Sequence, residues 1–278
     1  MARAALDYKL SFGDHSDMEL TVRTFSEEPG LRERFNEFHR LAWPRFVHEG
    51  NGAGPLWPRI FTDFPDFQFG LRDEAGTLVA IGNSIPLICD GSKGDLPPDM
   101  PEILERGVAV KRDGRRPTAL SALAAIVDPA HRAQGLSRRV IEAMGKIALR
   151  HGLKSLVAPV RPASKQLYPL TPMERYIRWT RPDGTLFDPW LRVHQRMGAD
   201  IMLVAPKAMV VTDTVSRWQE WTGLRFPESG PYVVPGAFQP VKIDIRRDIG
   251  RYEEANVWMR HPPTTPHPTL SPEGRGGV

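Results

Sequence analysis

Cysteine is almost absent from this sequence, since Cys89 is its only one. A single thiol excludes an internal disulfide framework and a zinc site built from several cysteines, so we expect a reducing, cytoplasmic setting and no metal. Long apolar runs are missing too: no stretch approaches the roughly 20 apolar residues that cross a bilayer. Residues 1–11 also lack the apolar core of a secretory signal. These absences predict a protein with no membrane span.

The sequence has no strong excess of either charge. It contains 37 Lys and Arg against 33 Asp and Glu, a formal net charge of +4, and the two signs are interspersed. The basic residues do not cluster with aromatic residues in a recognisable motif, so we predict no nucleic-acid partner. The small positive balance fits an ordinary solvated surface and also suits an anionic small ligand.

Hydrophobic periodicity predicts strands and helices along most of the chain. Strand patterns occur at residues 19–25, 67–72, 77–88, 118–127, 154–160 and 201–211, with shorter candidates at 232–234, 241–245 and 255–259. Helical spacing occurs at 31–42, from 136 to about 151, at 161–168 and at 190–197. Residues 90–113 contain several prolines and polar residues, which indicates a loop.

The same pattern predicts one domain over residues 1–260. Its core spans about 19–211 and a C-terminal extension follows at 212–260. The hydrophobic share of 41% is enough to bury such a core. Residues 261–278 are rich in proline, glycine and charge, so we expect a disordered tail.

The most informative segment runs from Val127 to Ser137, between the apolar strand at 118–127 and a helix. A helix N-terminus exposes unpaired N–H groups and the positive end of its dipole, and Gly135 lets the backbone approach an anion closely. Arg132 adds a charge-assisted contact. The segment therefore predicts a phosphate cradle, against the alternative of an ordinary strand, turn and helix.

Other phosphate motifs are missing from the chain. It has no G-x-x-x-x-G-K-[ST] for a nucleotide and no G-x-G-x-x-G for a dinucleotide. Two further Arg-x-x-Gly stretches, at 181–184 and 247–250, lack the strand and helix on either side. The remaining candidate ligand for the cradle is an acyl carrier that contains a pyrophosphate.

Val127, Pro129, Arg132 and Gly135 resemble the signature of the GNAT (Gcn5-related N-acetyltransferase) superfamily, Val-x-Pro followed by [Arg/Gln]-x-x-Gly-x-[Gly/Ala]. Ser137 departs from the last position. The resemblance covers about two thirds of the chain. It implies a mixed α/β (α+β) fold with a splayed, mostly antiparallel central sheet, helices on its faces and a C-terminal extension.

The resemblance also implies acyl-CoA, acetyl-CoA or longer, as the co-substrate. Its pantetheine arm pairs along the strand, and its pyrophosphate lies on backbone amides of the cradle. The implied binding residues are Ala125, Ile126, Val127, Arg132, Ala133, Gln134, Gly135, Leu136 and Ser137.

Two residues are candidates for the acid that protonates the leaving thiolate. The family's Asn-x-x-Ala-x-x-Leu-Tyr pattern aligns with Tyr168 but with Arg161 in place of asparagine. The family's Gly-Phe appears instead as Gly198 and Ala199, which puts His194 at the tyrosine position. The sequence leaves the choice open, and either side chain is equally compatible with a packing role.

A general base is harder to assign from the sequence. Glu102, Glu105 and His39 have suitable chemistry, and an amine can also lose its proton through water. Cys89 is the only thiol nucleophile, but no partner histidine can be placed by motif.

The predicted function is an N-acyltransferase. An amine attacks the thioester directly in a ternary complex, and the acyl group comes from CoA or an acyl carrier protein. The acceptor is a small primary amine or amino acid, and a homodimer is compatible with the sequence. The alternative is a non-catalytic GNAT-fold module that senses acyl-CoA. The aromatic segments at 43–69 and 176–190 either form a tunnel for a long acyl chain or pack as loops.

Overall fold

The computed structural model describes residues 9–10 and 19–262. The strands are β1 (Lys9–Leu10), β2 (Leu20–Thr24), β3 (Gln68–Arg72), β4 (Leu78–Leu87), β5 (Ala119–Val127), β6 (Ser155–Val160), β7 (Asp200–Asp213), β8 (Gly230–Tyr232), β9 (Val241–Asp244) and β10 (Ile249–Arg260). The helices are α1 (Leu31–Ala42), α2 (Arg45–His48), α3 (Arg59–Asp63), α4 (Met100–Arg112), α5 (Leu136–Arg150), α6 (Met173–Tyr176), α7 (Pro189–Arg196) and α8 (Val215–Thr222). Short 3₁₀ turns lie at Pro65–Phe67, Pro129–His131 and Lys165–Leu167.

The strands form one ten-stranded sheet in the order β1-β2-β3-β4-β5-β6-β10-β9-β8, with β7 paired to β10. The pairs are antiparallel except for β5 and β6, which are parallel. The predicted fold class, a mixed α/β fold with a mostly antiparallel sheet, is therefore confirmed.

The parallel pair of strands separates soon after it begins. β5 pairs with β6 only over Ala119–Ser121 and Ser155–Val157, although both strands continue further. Beyond this point β5 stays paired with β4, and the end of β6 pairs with β10. A split therefore opens between β5 and β6 towards the phosphate-cradle segment.

Helices cover both faces of the sheet around this split. α1 packs on one face in a cluster with Phe35, Phe38, Ile81 and Ile126. α5 packs in the main core cluster on the other face, with Leu120 and Ala122 of β5, whereas α4 packs against β4 beside α3. None of the helices between residues 19 and 262 has the length and apolar composition to traverse a bilayer.

The sequence interpretation missed α4, because the prolines near residue 100 indicated a loop. Asp99 caps this helix, and its side chain accepts the N–H of Glu102 at 2.9 Å. Pro101 lies in the first turn, where the missing N–H has no intrahelical partner to lose. Its buried side chains, Ile103, Leu104 and Val108 among them, repeat at helical spacing.

The predicted helix at 161–168 is wrong, since only Lys165–Leu167 forms a 3₁₀ turn there. The Asp188 carboxylate accepts the N–H groups of Ala163 and Ser164 at 3.2 and 2.8 Å. Lys165 Nζ donates to the Tyr168 carbonyl at 2.8 Å. These side-chain contacts replace the backbone bonds that a helix would need.

The C-terminal segment contributes directly to the sheet. β10 lies between β6 and β9 and also pairs with β7. Residue 261, assigned to the tail from the sequence, is instead a buried histidine whose N–H donates to Leu156 O at 2.9 Å. The rest of the predicted tail, 263–278, lies outside the described residues. The domain boundaries remain predictions.

Candidate functional site

The phosphate-cradle segment leaves β5 and turns tightly before α5. Asp128 Oδ1 accepts the N–H of Ala130 at 2.8 Å and shapes the 3₁₀ turn at Pro129–His131. Ala133 and Gly135 then adopt left-handed backbone angles, with φ of 63° and 75°. Gly135 is the N-cap of α5 and has no side chain that could cap the helix. The N–H groups of the first turn therefore find no acceptor on a side chain of the N-cap residue.

The backbone amides of residues 132–137 have no acceptor among residues 9–10 and 19–262. None of them donates a hydrogen bond to any group in the part of the chain that the structure describes. The residues from Arg132 to Gly135 are exposed, and no atom lies within 4 Å of the position that a Cβ on Gly135 would take. The segment thus presents unpaired N–H donors at a helix N-terminus to open space, the arrangement that binds an anion.

The predicted binding residues of β5 lie on the open side of the split. Ala125 and Val127 are half-buried and pack towards the α5 face, whereas Ile126 is buried in the α1 cluster. Only Ala119–Ser121 pair with β6, so the backbone of residues 125–127 has a free edge on that side. Arg132 makes no ion pair with a described residue.

Tyr168 lies in an aromatic cluster beyond the end of β6. Its half-buried ring contacts Trp179, Phe187 and Tyr176, with centroids 4.9, 5.8 and 5.9 Å away. The hydroxyl of Tyr176 donates to Asp188 Oδ2 at 2.8 Å, whereas that of Tyr168 has no hydrogen-bond partner among the described residues. Tyr168 therefore keeps a hydroxyl available for a ligand.

His194 lies at the other end of β6, where the two strands are still paired. Its ring is 1% exposed, and its Nδ1 lies 2.9 Å from Nε2 of His261, which follows β10. His194 Nε2 is buried with no hydrogen-bond partner in the described part of the chain, and burial lowers the pKa of His194 to about 3. The structure thus does not bring His194 and Tyr168 together.

The candidate bases and the thiol also lie in different environments in the structure. Glu102 pairs with Arg106 at 2.8 Å and Glu105 is exposed, both on α4. Cys89 is buried, and burial raises the pKa of its thiol. His39, on α1, contacts Asn83 of β4, whose partner Ala124 on β5 lies beyond the last residue that pairs with β6.

Sequence reasoning missed a set of buried charged groups beyond the split. Glu254, 0% exposed on β10, accepts Arg161 Nε at 2.9 Å and the Tyr252 hydroxyl at 2.8 Å. Lys165 is 2% exposed, and burial lowers its pKa to about 8. The only local signal was an acidic residue on the buried face of a strand, because its partner is far away in the sequence.

Comparisons with known proteins give a relative in sequence and solved structures of similar fold. Arginine N-acetyltransferase avaD of Aspergillus versicolor is 32% identical over 274 residues, covering 87% of this chain and 93% of that protein. The loading GNATL domain of CurA from Lyngbya majuscula matches with a TM-score of 0.55 at 18% identity, over 87% of this chain and 97% of that one. The GphF GNAT-like decarboxylase in complex with isobutyryl-CoA matches with a TM-score of 0.50 at 18% identity, over 87% and 98%. No protein-family model matches the chain.

Proposed function

Because this chain belongs to the GNAT superfamily and is an N-acyltransferase that uses acyl-CoA, we propose that its acceptor is the amino group of arginine or of a similar cationic amine. The acceptor class rests on the relative that is named an arginine N-acetyltransferase. The half-buried indoles of Trp43 and Trp57 lie 5.9 Å apart on the α1 face of the split. Indole faces attract a guanidinium or ammonium group by cation–π interaction.

The donor occupies the split in this proposal. Its pantetheine arm extends along the free edge of β5 at Ala125 to Val127, and its pyrophosphate lies on the amides of residues 132–137. The observation that carries this assignment is that those amides are unpaired and face open space at the N-terminus of α5. Arg132, exposed beside them, adds positive charge.

Tyr168 is the proposed acid. Its unpaired hydroxyl is available to protonate the leaving thiolate, whereas the ring of His194 is closed against His261. The cytoplasmic location, the carrier-protein donor and the homodimer remain predictions from the sequence.

The test combines donor binding with turnover. A panel of CoA thioesters from acetyl to palmitoyl is measured for thermal stabilisation, and acetyl-CoA with L-arginine is followed by thiol release and product mass. We expect stabilisation of about 2.7 kcal/mol at a hundredfold excess over the dissociation constant. Arg132→Glu should abolish it. Thiol release without an acylated amine would contradict the proposed acceptor, and failure of every thioester to bind would contradict the donor site.

A further inference from the structure

A chain of buried polar side chains crosses the sheet beside the split. It links Gln68 on β3, Asn83 on β4 and His39 on α1, which are 0%, 0% and 3% exposed. Asn83 Nδ2 donates to Gln68 Oε1 at 3.1 Å, and Asn83 Oδ1 lies 2.8 Å from His39 Nε2. Buried polar groups of this kind are costly unless each has a partner with the right polarity.

Gln68, at one end of this series of side chains, determines which atom donates and which accepts in each hydrogen bond. Gln68 Nε2 faces the carbonyls of Phe64 and Ser84 at 3.0 and 2.8 Å, and a carbonyl can only accept. Gln68 Oε1 must therefore accept from Asn83, which turns Asn83 Oδ1 towards His39. An amide oxygen needs a donor, so Nε2 of His39 carries the proton and Nδ1 carries the lone pair.

The imidazole is neutral at physiological pH. Burial, opposed by the bond to Asn83, lowers the pKa of His39 to about 4. The ring stacks on Trp43 at 4.8 Å, and Trp57 lies edge-on at 5.7 Å. Nδ1 has no hydrogen-bond partner among the described residues, and it is not one of the buried atoms sealed from solvent.

His39, which carries this lone pair, is hydrogen-bonded to a residue of β4 that lies near the split between β5 and β6. Asn83 is paired with Ala124, and the register between β4 and β5 shifts directly after that pair. Ala124 lies beyond the last residue of β5 that pairs with β6. Cross-strand partners share a face of a sheet, so Asn83 and Ala124 both face α1. His39 thus borders the split on the α1 side.

The charges around His39 are few. Gln68 from β3, Asn83 from β4 and Trp57 from the segment before α3 are uncharged, and His48 on α2 is the titratable group whose charge acts on the ring. Protonation at Nδ1 leaves the Nε2–H bond to Asn83 intact. His39 can therefore accept a proton without any rearrangement of the hydrogen bonds that link it to Asn83 and Asn83 to Gln68.

We propose that His39 accepts the proton released by the acceptor amine during acyl transfer, and that Asn83 and Gln68 are positioning residues that fix its tautomer. This rests on the proposed function. The amine nitrogen forms a bond to the thioester carbon, the C=O π pair moves to oxygen, and the N–H proton passes to Nδ1. The oxygen pair then returns, the C–S bond breaks, and the sulfur takes the Tyr168 proton. Solvent takes the proton from His39 and restores that of Tyr168.

The first experiment replaces His39 by glutamine, which keeps an N–H donor towards Asn83 but removes the titrating group. We expect kcat with acetyl-CoA and L-arginine to fall about 100-fold, in the usual range for general-base catalysis, with an unchanged dissociation constant for acetyl-CoA. His151→Gln, on the exposed residue that ends α5, is the matched control and should retain wild-type kcat. A His39→Gln protein with wild-type kcat would overturn the proposal.

The second experiment changes the pH dependence through Asn83. Asn83→Asp loses the bond to Gln68 Oε1, because a carboxylate cannot donate, but it places a negative charge against Nε2, which favours the imidazolium and raises the pKa of His39. The acid limb of kcat at saturating acceptor should move to higher pH by about one unit or more. An unmoved limb in the active variant would overturn the role of His39. A wild-type protein that binds acetyl-CoA yet acylates no amine would contradict the proposed function, and this inference with it.

Discussion

The two arms of the sheet differ in how their central polar groups are partnered. On the arm from β2 to β5, the amides of residues 132–137 and Nδ1 of His39 are oriented but have no partner among the described residues. On the arm formed by β6, β10 and β7, the buried Glu254 carboxylate is closed on Arg161 and the Tyr252 hydroxyl. Paired groups stabilise their own arm, whereas oriented unpaired groups gain partners only when a ligand arrives. We infer that the second arm holds the split open and that the first performs the chemistry.

Glu254→Ala tests the closed arm most severely. It leaves Arg161 and the Tyr252 hydroxyl without their shared carboxylate. We expect a loss of about 3 kcal/mol of unfolding free energy, the lower end of the range for a buried pair, because the Arg161 side chain is 24% exposed and keeps its bond to Gly236 O. Urea denaturation of the purified variant measures this loss.

The matched control is Glu253→Ala on the next residue of β10. Glu253 pairs with Arg251 and Lys207, whose side chains are 45% and 61% exposed. Exposed pairs contribute about 0 to 1 kcal/mol. Equal losses for the two variants would mean that closure of the buried network does not stabilise this arm.

Acid should destabilise both arms, because each buries histidine. Burial lowers the pKa of His39 and of His261 from 6.5 to about 4 and that of His194 to about 3. Below pH 6.5 the unfolded chain takes up protons that the folded chain refuses until about pH 4, so unfolding free energy falls as pH falls through this window. For His39 alone the loss is on the order of 3 kcal/mol.

Urea denaturation between pH 7.5 and 4.5 measures this slope for the wild type and for His39→Gln. We expect His39→Gln to flatten the slope, because glutamine does not titrate. A His39→Gln slope as steep as the wild type would show that His39 is not held neutral by the fold.

A pair of glycines tests the open arm without disturbing the closed one. Gly135 and Gly152 bracket α5 with φ of 75° and 69°. A Cβ at Gly135 meets nothing within 4 Å, and one at Gly152 meets only Arg116 Nη2 at 3.8 Å. Valine at either position should therefore impose similar backbone strain, about 1 to 2 kcal/mol.

Only Gly135→Val should weaken binding of acetyl-CoA, because its side chain fills the space above the unpaired amides. We expect its dissociation constant to rise about 30-fold, or about 2 kcal/mol, as measured by calorimetry. If Gly152→Val weakens binding as much, the effect arises from strain in α5, and the pyrophosphate does not lie at Gly135.

The sequence predicts the cradle and misses the His39 chain for one physical reason. Strand, turn, Gly135 and helix are contiguous, so their local signals reinforce one another. Gln68, Asn83 and His39 come together only through the register of β3 with β4 and the packing of α1, which no local pattern encodes. The missed helix α4 is an intermediate case, since a cap at Asp99 and the tolerated Pro101 were present but were outweighed by neighbouring prolines.

The smallest effect concerns the acid at the edge of the split. Tyr168→Phe should lower kcat about tenfold, or about 1.4 kcal/mol, with donor binding unchanged, because solvent can replace the hydroxyl as a slower proton source. Tyr176→Phe is the matched control, since its hydroxyl is already bound to Asp188; it should cost about 1 kcal/mol of stability and leave kcat intact.

Steady-state kinetics with both variants and with His194→Gln decide between the two candidate acids. A fall in kcat confined to His194→Gln would move the acid to the closed arm, and the division of labour between the arms would then be wrong.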